Sequence, residues 1–216
     1  RTIRGIYGVV SPMPLMIHKK EIITMSDRRN TVRPGSSRTK FLTLTGLMTA
    51  VICIVGPLSL PLPASPVPVT LTNFAIYIAV YVLGLKAGTV SCLIYLCLGA
   101  AGLPVFSAFS GGIGKLAGPT GGYLIGFLFL ALIQGALMRR FSGRNTAAVA
   151  GMILGTAVCY LFGTVWLAGQ MHLTFQAALA AGVIPYLPGD TVKIILAALA
   201  GPKLGTAVQK GLQYSG

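Results

Sequence analysis

Residues 145–167 read NTAAVAGMILGTAVCYLFGTVWL, from Asn145 to Leu167, without one charged side chain. At 1.5 Å per residue a helix of that length spans about 35 Å, enough to cross the apolar core of a bilayer. Arg139, Arg140 and Arg144 stand immediately before it, and ahead of them Pro119–Met138 is another apolar stretch. Pro119 suits the first turn of a helix, where its missing N–H costs nothing. The same pattern recurs through the 216 residues: 54% are hydrophobic and 9% charged, against a usual charged share of about 25%. Mean hydropathy is +0.80. A soluble domain solvates its surface with charge that this chain lacks, so the composition points to a polytopic membrane protein.

Six spans are expected: Phe41–Leu60, Thr70–Leu83, Ala87–Ala101, Pro119–Met138, Asn145–Leu167 and a last one from Pro188-Gly189-Asp190 to about Gly205. Between the first two, Pro61, Pro63, Pro66 and Pro68 exclude helix. Gly84 and Lys86 end the second span; Gly102 and Pro104 stop the third. Residues 105–118 are rich in Gly and Ser and read as irregular, and Thr174–Val183 reads as a short helix. Residues 1–38 are polar and broken by prolines, a flexible basic arm with no signal-peptide core, leaving 39–212 as the membrane domain.

The formal net charge of +14 invites a nucleic-acid reading, which the positions of the bases refuse. Nine of the 17 are Arg1, Arg4, Lys19, Lys20, Arg28, Arg29, Arg33, Arg38 and Lys40. If the amino terminus is cytoplasmic, these fall on the inner side with Lys86, Arg139, Arg140, Arg144, Lys203 and Lys210. The outer loops then hold only Lys115, and Lys193 lies within the last span. That asymmetry is a topology signal and predicts both termini inside.

Only three acids occur, Glu21, Asp27 and Asp190, so Asp190 is the one carboxylate of the membrane domain. Lys193 follows three residues on and shares its helical face. Two readings stand. The pair is self-neutralising, with Lys193 snorkelling outward, or it forms a polar pocket open to the outside in which Asp190 accepts N–H donors and Lys193 attracts an anion or orients Asp190. Asn73 is the second intramembrane polar residue of interest. Its amide both donates and accepts, which serves a ligand or glues packed helices equally well.

Other motifs carry less. Ser110–Tyr123 is glycine-rich but fails the phosphate-loop pattern: no Gly stands four residues ahead of Gly114-Lys115, and Leu116 replaces the required Ser or Thr. Its glycines, Gly112 included, suit a close-packed loop over a ligand or close helix contact. Cys53, Cys92, Cys97 and Cys159 sit in apolar runs with no zinc spacing, so no metal is expected. His18 and His172 each stand alone, and no catalytic set assembles. Gly46 and Ala50, with Thr45 and Thr49 one position earlier, let another helix approach the first span.

Together, Pro61-Leu62-Pro63…Pro66-Val67-Pro68-Val69-Thr70-Leu71, Tyr95-Leu96…Gly99…Gly102-Leu103-Pro104-Val105-Phe106, Gly118-Pro119-Thr120-Gly121-Gly122-Tyr123-Leu124-Ile125-Gly126-Phe127 and Pro185…Leu187-Pro188-Gly189-Asp190…Lys193 resemble the BioY family. BioY proteins are the biotin-binding S components of energy-coupling factor (ECF) transporters. The likeness covers roughly residues 41–212; the basic arm is outside it, and Thr72 departs from it where the family often has Gln. It implies an all-α, six-helix plasma-membrane protein of bacterial type, neither an enzyme nor a cofactor carrier, that captures biotin from outside. ATP would be bound only by partners, a transmembrane T component and two ATPase subunits, and transport would proceed by toppling of the S component. Asn73, Asp190 and Lys193 would bind substrate, with Thr70, Tyr95, Gly112 and Tyr123 beside them; Gly46 and Ala50 would meet the T component. On the residues alone, an autonomous transporter or channel for another small solute, and a ligand-free membrane scaffold, remain competing classes.

Overall fold

Helix α1 runs from Pro34 to Val55 and stops where Gly56-Pro57 must break it, because proline disfavours helical geometry in the residue before it. The structure is a computed structural model describing residues 34–61, 63, 65–141 and 145–214. Arg144 and residues 1–33, with most of the expected basic arm, lie outside the described residues. Helix begins inside that arm, at Pro34, a residue preorganised for a first turn. The first span is also shorter at its other end than Phe41–Leu60. Ser59–Leu60 instead forms strand β1, antiparallel to β2 (Val69–Thr70), with Ser59 opposite Thr70.

Helix α2 covers Thr72–Ala100 as one assigned stretch, broken at Gly84, whose φ of 75° and ψ of −174° are not helical. The chain doubles back there. A Cβ on Gly88 would lie 2.7 Å from the Cα of Val80, whereas eight residues along a straight helix lie about 12 Å apart. The break at Gly84 falls between the stretches expected as the second and third spans. Their start shifts from Thr70 to Thr72, because Val69–Thr70 is held in β2.

The stretch expected to be irregular holds a 3-10 turn, Ser107–Phe109, and short helix α3, Ile113–Ala117. Helices α4 (Gly121–Arg140) and α5 (Asn145–Met171) follow. Pro119 precedes α4 rather than opening it. Short helix α6 spans Phe175–Gly182, capped by the Thr174 hydroxyl, which accepts from the Ala177 N–H at 3.3 Å. A 3-10 turn, Ile184–Tyr186, leads into α7, Leu187–Tyr214, which runs well beyond Gly205.

Lys40–Gly216 forms one compact unit, with several polar side chains among its buried apolar residues and large apolar side chains on its outside. Thr45, Thr49, Ser91, Gln134, Thr156 and Thr164 are buried, while Ile54, Leu161, Val165 and Leu199 are exposed. Without water outside, interior hydroxyls and amides bond between helices: the Gln134 amide donates to the Tyr77 carbonyl at 2.9 Å. Glycines set the α4–α5 seam, where Cβ atoms on Gly126 and Gly155 would strike Cys159 and Leu130. Among the described residues, five stretches are long and apolar enough to cross a membrane: Arg38–Val55, Thr72–Ala100, Gly121–Arg140, Asn145–Met171 and Phe175–Gly211.

Candidate functional site

Asp190 lies in the first turn of α7, where the helix dipole favours an acid. Helical spacing places Lys193 over it, and the ammonium donates to Asp190 Oδ1 at 2.7 Å. Both residues are buried, 7% and 8% exposed, so the protein itself must supply most of the compensation for the two charges. The junction of β2 and α2 supplies the remaining acceptors: Lys193 Nζ donates to the Thr70 carbonyl at 2.6 Å and to Asn73 Oδ1 at 3.1 Å. Asn73 Oδ1 also accepts the Phe74 N–H at 3.1 Å. From α5, the Tyr160 hydroxyl donates to Asp190 Oδ2. Each carboxylate oxygen therefore has one protein donor. A carboxylate accepts about four hydrogen bonds, so half of that capacity is left for a guest.

This cluster forms part of the lining of a cavity with about 680 Å³ of empty space, its open mouth included. Leu124, Phe127 and Leu130 give it an apolar wall. Tyr95 and Tyr123 also line it, and their buried hydroxyls have no hydrogen-bond partner. The Tyr123 ring lies against Gly163 and its hydroxyl against Gly182, positions where a Cβ would come within 2.3 and 2.1 Å of it.

Six of the seven residues expected to bind substrate, Thr70, Asn73, Tyr95, Tyr123, Asp190 and Lys193, thus meet around one space. Gly112 is not among the lining residues. It turns the loop before α3 with φ of 92°, its N–H donating to the Gly99 carbonyl at 2.7 Å. Thr72 lines the cavity as well. Sequence reasoning missed Tyr160, Thr156 and Tyr186. Tyr160 and Thr156 carried a signal, two hydroxyls one helical turn apart in an otherwise apolar span.

The model of the BioY family matches residues 25–210. The chain belongs to the BioY family. It is 38% identical to the biotin transporter BioY of Thermotoga maritima over 159 residues, 74% of this chain and 92% of that protein. It is 37% identical to the biotin transporter BioY of Rhizobium etli, covering 80% and 95%. Among solved structures it resembles the S component for biotin from an ECF-type ABC transporter, a crystal structure at 2.1 Å. There the TM-score is 0.73 and the identity 32%, over 78% of this chain and 92% of that one.

Two further features of this BioY chain bear on function. Ser65 Oγ donates to the Ala181 carbonyl at 2.7 Å and accepts from the Val67 N–H at 3.1 Å. The Tyr186 hydroxyl bonds to Ser65 Oγ at 2.8 Å and to the Val67 carbonyl. This clip joins the proline-rich loop to the segment around α6, and Val67, Pro68, Gly182 and Tyr186 all line the cavity. On α1, Thr45 and Thr49 face inward against Ser91, whose hydroxyl donates to the Thr45 carbonyl at 3.1 Å. Gly46 and Ala50 face outward and are exposed, and a Cβ on Gly46 would meet nothing within 4 Å.

Proposed function

We propose that this chain is the substrate-capturing S component of a biotin uptake system, a transport protein and not an enzyme. One observation carries the reading: a buried, hydrogen-bonded Asp190, joined to Asn73 through Lys193, in the lining of an otherwise largely apolar cavity. Biotin presents two N–H donors and one carbonyl on its ureido ring, with an apolar thioether ring and chain behind. The unused lone pairs of Asp190 accept the N–H groups, and the Asn73 amide serves the carbonyl. Leu124, Phe127 and Leu130 take the apolar part. Buried sites of this kind punish a ligand lacking one partner by about 1–3 kcal/mol per lost bond.

The finer assignment is six membrane passes with both termini cytoplasmic, in the plasma membrane of a bacterial-type cell, with biotin entering from outside. It is supported by the reversal at Gly84 and by the distribution of Lys and Arg. The glycine-rich segment lacks the spacing of a phosphate loop, so the energy is assigned to partners: a T component and two ATPase subunits. The exposed small face of Gly46 and Ala50 is the assigned contact with the T component. Titration of the purified chain with biotin, thiamine and riboflavin tests the reading. Saturation by biotin alone is expected; saturation by another vitamin, or by none, contradicts it.

A further inference from the structure

The ammonium of Lys193 has three hydrogens and three protein acceptors: Asp190 Oδ1 at 2.7 Å, the Thr70 carbonyl at 2.6 Å and Asn73 Oδ1 at 3.1 Å. It has no donor to spare. Its charge is offset by Asp190, and among the described residues lining the cavity these two are the only charged ones. The cavity is therefore net neutral. An anion drawn inside would shed its hydration without gaining an uncommitted cation, a strongly unfavourable exchange. Freeing a Lys193 hydrogen for it would leave Thr70, Asn73 or the buried Asp190 short of a partner. The remaining lining donors are neutral. A neutral hydroxyl or amide donor serves an amide or ester carbonyl as readily as a carboxylate oxygen.

We propose that the site recognises only the uncharged head of its ligand and is indifferent to the charge of the tail, so that it takes biotin amides and other neutral-tailed biotin derivatives as well as the free acid. This rests on the assignment of biotin as the ligand. The carboxylate of the free acid then keeps its hydration toward the cavity mouth.

Biotinamide tests this cleanly, because it replaces the carboxylate by a neutral group of nearly the same size. Calorimetric titration of the purified full chain in detergent, with biotin and biotinamide side by side, reads the comparison. The expected result is a biotinamide Kd less than about fivefold above that of biotin. A biotinamide Kd higher by about fivefold or more, with biotin binding intact, overturns the inference and leaves the biotin reading standing. Failure of biotin itself to bind overturns both.

Discussion

Tyr160 on α5 donates its phenolic hydrogen to Oδ2 of Asp190 on α7, thirty residues along the chain. With Lys193 on Oδ1, this second donor fixes the plane of the carboxylate and decides which lone pairs face the cavity. Tyr160→Phe keeps the ring and removes the hydrogen bond. The expected loss of biotin affinity is about tenfold, the worth of one hydrogen bond to a charged group. In an Asp190→Asn background the same change is expected to cost far less, since coupled residues are not additive. Four calorimetric titrations complete the cycle; equal losses in both backgrounds contradict the positioning role.

The Asp190–Lys193 pair predicts an asymmetric effect on folding. Lys193→Met leaves a buried carboxylate without its counter-charge, expected to destabilise the protein by about 3–5 kcal/mol. Adding Asp190→Asn removes the stranded charge and recovers much of that loss. Thermal unfolding in detergent checks the order: the double variant is expected to melt above Lys193→Met alone.

Ser65 predicts a kinetic effect. Its hydroxyl touches the Ala181 carbonyl, the Val67 N–H and the Tyr186 hydroxyl, so Ser65→Ala opens the clip between two walls of the cavity. Biotin release is expected to quicken by about three- to tenfold, the worth of roughly one net hydrogen bond. A filter-binding chase with unlabelled biotin measures the rate. An unchanged rate means that the clip does not restrain the ligand.

The docking role proposed for the outward face of α1 predicts that capture and transport can be separated. A Cβ at Gly46 would meet nothing within 4 Å and the residue is exposed, so Gly46→Leu is expected to preserve folding and biotin affinity. In vesicles containing the T component and ATPases it is expected to lose ATP-driven uptake, because small residues there permit close helix approach. Normal uptake by the variant removes Gly46 from the docking surface.

The site was legible where local spacing encodes it and obscure where tertiary contact does. Asp190 and Lys193 were conspicuous, as charges three residues apart in an apolar helix. Asn73 stood out as an amide in an apolar span. Tyr160 did not, because its partner Asp190 comes from another helix and the Thr156 hydroxyl one turn away was its only local signal. Helix boundaries failed for similar reasons. Hydropathy carried the first span to Leu60, but Pro57 ended it earlier and Ser59–Leu60 found a strand partner at Val69–Thr70. Gly84 read as a helix end; the structure adds that the next limb folds back tightly enough to set Gly88 against Val80. Gly112 drew attention within a glycine-rich run, yet its positive φ serves the loop backbone, a role that composition does not distinguish from ligand contact.

The central claim is that Asp190 reads the N–H groups of biotin inside the membrane domain. Calorimetric titration of the purified wild-type chain and Asp190→Asn with biotin tests it most directly. The account predicts saturable binding by the wild type and an affinity about tenfold or more lower for the variant, which offers the ligand one acceptor oxygen and an opposing N–H₂ group. Equal affinity in the two proteins contradicts it.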